Sequence, residues 1–243
     1  MRRKADSARH VRDLLRAQIL GRGFPDGQMP SELELIREFQ VGRNIVRTAL
    51  AHLQRQGLVA RIQGAGTFVV VQKTRHDLLV GGIGTSLAQL DTRLLSQRRG
   101  PAGVGAAVRL GIPADQPCLI VDTVSSVNRQ PVMVATSYIS DIAHQEAVAA
   151  VIDPGYWRGD WYDALIAAGL AVDRRELVIE AVVADELIAG ELEVALGDPL
   201  MFVERRLLLP AGTPFEYGFT HCRGDRFAFA CAVDSLGKPA DPR

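Results

Sequence analysis

The chain has 243 residues, 47% hydrophobic and 23% charged, a balance that excludes a disordered or fibrous protein and suits one large or two modest folded domains. Its 28 Lys and Arg cancel its 28 Asp and Glu, but unevenly along the chain: residues 1–77 hold 14 basic and 7 acidic side chains, and the rest hold 14 and 21. A small basic module joined to a larger acidic one points to a nucleic-acid binder coupled to a module that stays off nucleic acid.

Val11, Leu14, Leu15 and Ile19 recur at helical spacing and predict a first helix ending near Gly21 to Gly23. Beyond the turn at Pro25-Asp26-Gly27, Ser31 and Glu34 have the spacing of a capping box and open a second helix through Leu35, Ile36 and Phe39. After the short turn Val41-Gly42-Arg43, a third apolar stripe of Val46, Ala49, Leu50 and Leu53 runs to Gly57. The other face of that helix carries Arg43, Asn44, Arg47 and Thr48. Residues four apart share a face, and Arg and Asn at a helix start suit the guanine and adenine edges of a major groove. Residues 58–62 and 67–71 have strand character and flank Gln63-Gly64-Ala65-Gly66, whose glycines permit positive φ and close backbone approach. No Gly-Lys-Ser/Thr follows them, so a phosphate-binding loop is excluded there. Three helices closed by a hairpin predict a winged helix, with a tip slim enough for a minor groove.

These residues carry a resemblance. Met29-Pro-Ser-Glu-Leu-Glu-Leu35, Val41-Gly-Arg-Asn-Ile-Val-Arg-Thr-Ala-Leu50, Gly57-Leu-Val59 and Gly64-Ala-Gly-Thr-Phe-Val69 are similar to the DNA-binding domain of the GntR family of bacterial transcription regulators. The resemblance implies operator contacts from Arg43, Arg47 and the wing at Gln63, Gly64 and Gly66. Ser31, Asn44, Thr48 and Thr67 complete the candidate DNA-binding set. Two positions depart from the family pattern: Leu33 stands where an operator-contacting Arg is usual, and Gly42 replaces the Ser of Val-Ser-Arg. The first implies an altered operator preference. The second removes an N-cap hydroxyl at a cost of at most about 0.5 to 2 kcal/mol, reduced because Gly is a tolerated cap.

Residues 73–78 are polar and unpatterned and predict a linker between domains at 1–72 and 79–243. Gly81-Gly-Ile-Gly-Thr-Ser86 precedes a helical pattern through Leu87, Leu90, Leu94 and Leu95. It is either an anion-binding helix start or a flexible connection. Further on, residues 118–127 and 132–139 predict a hairpin turning at Asn128 to Pro131, and residues 200–209 and 215–223 a second one across Pro210 to Pro214. Helices are predicted at 141–152, 160–168 and 185–196, and strands at 177–183 and 227–233. The fold class is α+β: an antiparallel sheet backed by helices.

This half is similar to the UTRA effector domain, which has the chorismate-lyase fold and marks the HutC branch of the GntR family. The carrying residues are Arg129-Gln-Pro-Val132 with Thr136-Ser-Tyr-Ile139, Asp160-Trp-Tyr-Asp-Ala-Leu165, Gly197-Asp-Pro-Leu200, and Thr213-Pro-Phe-Glu-Tyr217 with Arg223-Gly-Asp-Arg226. The resemblance implies an effector site drawn from Thr85, Thr123, Ser125, Tyr138, Asp160, Tyr162, Glu216, Cys222 and Arg223. Related domains that sense phosphorylated sugars carry arginines where this chain has Thr123 and Ser125. Exchanging two arginines for hydroxyls and adding Asp160 removes attraction for a phosphate and adds repulsion. A neutral or amine-bearing effector is therefore expected. The bland alternatives are that Tyr138 and Tyr162 are half-buried core residues and that Glu216 and Arg223 pair across strands.

No apolar run nears the roughly 18 residues of a membrane span, and the basic start of the chain leads into no apolar signal core, so a cytoplasmic location without a membrane partner is expected. Cys118, Cys222 and Cys231 are odd in number and lack Cys-x-x-Cys pairing, which favours buried free thiols and no structural metal. His10, His52, His76, His144 and His221 cluster nowhere in sequence, and no cofactor is expected. Together these readings imply a homodimeric regulator on double-stranded, palindromic operator DNA, a repressor released by a small non-phosphorylated metabolite, and no enzyme. A chorismate-lyase-like enzyme and a ligand-independent DNA binder are the alternatives.

Overall fold

The structure, a computed structural model, describes residues 2–21, 23–70, 74–77, 90–140 and 142–230. The chain divides into two compact units, Met1–Lys73 and Thr74–Arg243.

In the first unit, α1 (Arg2–Leu20), α2 (Glu32–Phe39) and α3 (Arg43–Arg55) precede the antiparallel pair β1 (Val59–Ile62) and β2 (Gly66–Val69). The apolar stripes meet in one core, where Val11, Leu15 and Ile19 of α1 pack with Leu35 of α2 and Val46, Ala49, Leu50 and Leu53 of α3. Truncating one of these leucines to Ala costs about 2–5 kcal/mol by loss of transfer energy and cavity formation. The Ser31 hydroxyl accepts the Glu34 N–H, and the Glu34 side chain accepts the Ser31 N–H, closing the capping box. Gly42 caps α3 without a side-chain bond, leaving its carbonyl to accept from Ile45 N–H at 2.9 Å.

The second unit is built on a seven-stranded sheet in the order β7-β4-β5-β6-β10-β9-β8, antiparallel throughout. Its strands are β4 (Asp91–Pro101), β5 (Pro117–Val127), β6 (Gln130–Ile139), β7 (Tyr156–Arg158), β8 (Arg174–Val183), β9 (Pro199–Leu208) and β10 (Pro214–Arg223). Helices α5 (Ile142–Ile152) and α6 (Trp161–Ala167) cover one face, and α4 (Gly103–Leu110) and α7 (Glu186–Leu192) the other. The β5–β6 hairpin turns on Asn128 and Arg129, both left-handed at φ 51° and 66°, a pair of angles that matches the right-handed twist of the strands.

Several expectations are corrected. Leu94 and Leu95, placed in a helix by their spacing, lie in β4, where pairing with β5 from Asp91 to Pro101 overrides the local pattern. The loop at 81–86, and with it Thr85, lies outside the described residues, as does Cys231. Thr74–Asp77 of the expected linker form a strand, β3, paired in parallel with β11 (Phe227–Ala230). Helix α7 ends at Leu192, before the expected Leu196, because Glu193 adopts a left-handed conformation.

Candidate functional site

The first candidate surface is the exposed side of α3. Arg43 and Arg47 project from it with side chains 74% and 60% exposed, and both reach toward Glu32 at the start of α2, at 3.8 and 4.0 Å. Arg61 of β1 binds the same carboxylate more closely, at 2.6 Å. One acid thus gathers three arginines. Thr48 donates to the Asn44 carbonyl at 2.8 Å, which spends its hydroxyl proton inside the helix. Ser31 is likewise engaged as a cap. The wing tip is slim: Gly64 and Gly66, on either side of Ala65, have φ of +78° and +118°, a region that side-chain-bearing residues rarely adopt. Gln63 and Gly64 are exposed and Thr67 is half-buried at the base. Glu32 and Arg61 were missed by sequence reading, although Glu32 lies within the capping-box motif; Arg61 shares a strand face with the buried Val59, so the two-residue period carried no signal for it.

The second candidate site is a cavity between α6 and the sheet in the second unit. Thr123 and Ser125 of β5, Met133 and Ala135 of β6, Arg205 and Leu207 of β9, Thr220 of β10, and Arg175 and Leu177 of β8 form its sheet side; Asp160, Trp161 and Tyr162 close it from α6. Strand register explains why these residues meet. Thr123 pairs with Ala135, Ala135 with Thr220, Thr220 with Val203, and Gly218 with Arg205, so one sheet face carries them all. The water-accessible space is about 40 Å³, room for a few water-sized groups at roughly 10–15 Å³ each.

Arg205 is the central ion of this face, and sequence reading missed it. Its Nε and Nη2 donate to Glu216 Oε1 at 3.1 and 2.8 Å, Nη1 to Thr220 Oγ1 at 2.7 Å, and Nη2 to Ser137 Oγ at 2.5 Å. Burial pushes the Glu216 carboxyl above the ordinary range, and the Arg205 charge pulls it back. Asp160 caps α6: its Oδ1 accepts the Asp163 N–H at 2.9 Å, and Asp163 Oδ2 accepts the Asp160 N–H at 2.8 Å. Burial, with the nearby Asp163 charge, raises the Asp160 carboxyl to about 6, against the pull of backbone N–H groups and Arg205. Asp160 Oδ2 has no hydrogen-bond donor among the described residues. Behind the cavity, the Thr92 hydroxyl shares a hydrogen bond with Ser125 Oγ at 2.8 Å and lies 2.7 Å from the Gly159 carbonyl.

Of the expected effector residues, Thr123, Ser125, Asp160 and Tyr162 line this cavity, and Glu216 lies against it through Arg205. Three do not. Tyr138 faces the opposite side of the sheet, packed in the cluster under α4, because its strand neighbour Ser137 takes the cavity face. Cys222 is on the cavity face but one step beyond, in a core with Leu90, Val203 and Phe227, where burial pushes its thiol up to about 12. Arg223 takes the opposite face of the sheet, where it binds Asp225 and the Leu192 carbonyl of α7 rather than Glu216. The expectation of a cavity without arginines is also corrected: Arg205 lies within it, and Arg175 stands beside Tyr162, 5.1 Å from the ring centre. Arg205 nevertheless offers little to an anion, since Glu216 balances its charge and four of its five N–H groups are bonded within the protein.

A winged module bearing exposed arginines on its third helix, followed by a sheet domain with a small polar cavity, defines a class: a DNA-binding unit joined to a ligand-binding one. Residues 7–69 match the family of bacterial regulatory proteins, gntR family, and residues 87–228 match the UTRA domain. The chain is 31% identical over 231 residues to an uncharacterized HTH-type transcriptional regulator of Rhizobium meliloti (strain 1021), covering 90% of this chain and 91% of that protein. It is 28% identical over 191 residues to the histidine utilization repressor of Pseudomonas putida, covering 75% of this chain and 73% of that one. Among solved structures, PhnF from Mycobacterium smegmatis has a similar fold, with a TM-score of 0.62 at 23% identity over 93% of this chain and 99% of that one. The chain belongs to the GntR family of bacterial transcription regulators, in the group that carries a UTRA domain.

Proposed function

We propose that this regulator is a cytoplasmic repressor that binds a palindromic operator as a homodimer and leaves it when a small non-phosphorylated metabolite enters the α6 cavity. The observation that carries the DNA half is the pair Arg43 and Arg47, one helical turn apart and exposed, in a module whose wing tip is the small-residue run Gly64-Ala65-Gly66. Asn44, Thr48, Ser31, Gln63, Gly64, Gly66 and Thr67 form the rest of the proposed DNA surface. A two-fold dimer presents two such helices to successive major grooves, which a palindrome matches. The dimer reading is supported by unpartnered apolar side chains on the second unit: Val104 and Val108, an i, i+4 pair on α4, and Leu187 on α7.

The effector half rests on Thr123, Ser125, Asp160, Tyr162 and Glu216. With Arg205 neutralised by Glu216, the central guanidinium of the cavity has little charge to offer a phosphate. Ligand and operator then oppose each other by the same factor, whichever binds first. The reading assigns the protein no catalysis.

The test is fluorescence anisotropy of the protein on its own upstream DNA against scrambled DNA, across salt concentrations. Selective binding is expected, with Arg43→Ala and Arg47→Ala each losing about 1–3 kcal/mol. Equal, strongly salt-dependent binding to both DNAs would reject a sequence-specific regulator of that site. Calorimetric titration in which a sugar phosphate binds tightly while its unphosphorylated parent does not would reject the effector class.

A further inference from the structure

The chemistry of the α6 cavity is restricted by which of its buried groups are already satisfied. The Arg205 guanidinium is 6% exposed, and four of its five N–H groups go to Glu216, Thr220 and Ser137. The Asp163 N–H, at the start of α6, is given to Asp160 Oδ1. An entering anion therefore meets a guanidinium whose charge Glu216 already balances, with the Trp161 indole N–H and one Arg205 Nη1 N–H as the donors left without a partner among the described residues. Asp160 is in the opposite condition. It is 2% exposed, it lines the cavity with the Thr123 and Ser125 hydroxyls, and its Oδ2 accepts no hydrogen bond from the described residues. A carboxylate oxygen held out of water without a donor is costly even when its twin is hydrogen-bonded, and a ligand that brings both a positive charge and N–H groups offsets that cost.

We propose that the effector presents a protonated nitrogen, an ammonium or amidinium head, to Asp160 Oδ2, so that Asp160 is the specificity-determining residue of the cavity. The inference rests on the reading of this cavity as the effector site. Three observations fit it. The narrow space admits a head of a few heavy atoms. Its α6 wall is made of Trp161 and Tyr162, whose ring faces attract cations. The raised Asp160 carboxyl, at about 6, is the mark of a charge that burial disfavours, and a bound cation would lower it again. Glu216 Oε2 also lacks a donor among the described residues, but Glu216 is fully buried outside the cavity lining and its Oε1 is held by Arg205, so Asp160 is the carboxylate that a ligand in the cavity meets.

The experiment uses the full chain and small probes at constant ionic strength: methylammonium and ethylammonium chloride, the matched alcohols methanol and ethanol, and acetate and inorganic phosphate as anions. Thermal shift and calorimetry are read for the wild type, Asp160→Asn and Asp160→Ser, both of which keep a side-chain acceptor to cap α6. The expected result is stabilisation of the wild type by the ammonium probes at millimolar concentration, none by alcohols or anions, and at least about tenfold weaker ammonium binding in both variants, the scale of losing one charge-assisted hydrogen bond. Failure of the ammonium probes to stabilise the wild type would overturn the proposal. So would equal ammonium binding by wild type and variants, or tighter binding of an anion. Should neither variant fold, the comparison of ammonium with alcohol on the wild type decides alone. Operator binding followed in parallel separates the two readings: release by an anion or alcohol keeps the regulator and sinks the ammonium site, whereas no operator binding in any condition sinks the regulator itself.

Discussion

Arg205 lies across Gly218 so closely that a Cβ at Gly218 would stand 2.7 Å from its Nη2 atom, and as close to Glu216 Oε1 and the Thr136 carbonyl. The glycine is what lets a guanidinium lie flat on the sheet between β9 and β10. Gly218→Ala should therefore destabilise the second unit by about 1–3 kcal/mol through overpacking, and more if the displaced guanidinium loses Glu216. Urea unfolding followed by tryptophan fluorescence reports this unit, since Trp157 and Trp161 both lie in it. An unchanged midpoint would show that the sheet yields without cost.

Glu32 sets the electrostatics of the DNA surface. It holds Arg61 at 2.6 Å and draws in Arg43 and Arg47 at 3.8 and 4.0 Å, so it orients the arginines while placing a negative charge where phosphates approach. These pairs are largely exposed, and each contributes little to stability. Glu32→Gln should leave the melting temperature almost unchanged, tighten binding to scrambled DNA and lower the ratio of operator to scrambled affinity. Anisotropy on both DNAs at two salt concentrations measures the ratio; a rise in selectivity would show that Glu32 merely screens the arginines.

Much of the first unit was legible because its signals are local: Ser31 and Glu34 cap each other three residues apart, and the stripe Val46, Ala49, Leu50, Leu53 needs only a helix to become a face. The β5–β6 hairpin was legible for the same reason. What escaped were elements decided by distant partners. Helix α4 contains Gly103 and Gly105, poor helix formers, and is held by packing of Ala106, Ala107 and Leu110 on Cys118, Ile120 and Tyr217. In the cavity, Thr123 and Ser125 were foreseen on the right face, but Tyr138 was assigned to the site where its neighbour Ser137 points. Arg205 was overlooked although it alternates with Val203 and Leu207 in β9, the sequence trace of a charge pointing inward, because its partner Glu216 lies eleven residues away across a turn.

The Asp160 carboxyl carries a pH signature. Its value in the folded chain, about 6, exceeds the ordinary 3.8, so the folded state holds a proton that the unfolded state has released. Stability from this group is therefore greatest below about pH 4 and falls as pH rises through 6, a loss of order 2 to 3 kcal/mol by linkage. Asp160→Asn, which preserves the cap, removes the penalty. The variant should melt above the wild type at pH 7.5, with the gap closing toward pH 4.5; a variant that melts lower at both values would mean that the Asp160 charge is stabilising.

Thr92 ties the cavity to the strand that begins the described sheet. Its hydroxyl bridges Ser125 Oγ and the Gly159 carbonyl, while the Gly159 N–H binds the Leu90 carbonyl at 2.8 Å, so the turn leading into Asp160 is fastened at two points to the start of β4. Thr92 is fully buried, and Thr92→Val keeps the shape while stripping both neighbours of a partner. The cost should be about 1–3 kcal/mol, the penalty of leaving buried polar groups unsatisfied. Chemical denaturation of Thr92→Val and of the double variant Thr92→Val with Ser125→Ala separates the two bonds. If the second change adds nothing to the first, the Thr92–Ser125 bond carries the loss. If the two costs add in full, the Gly159 carbonyl was the partner that mattered.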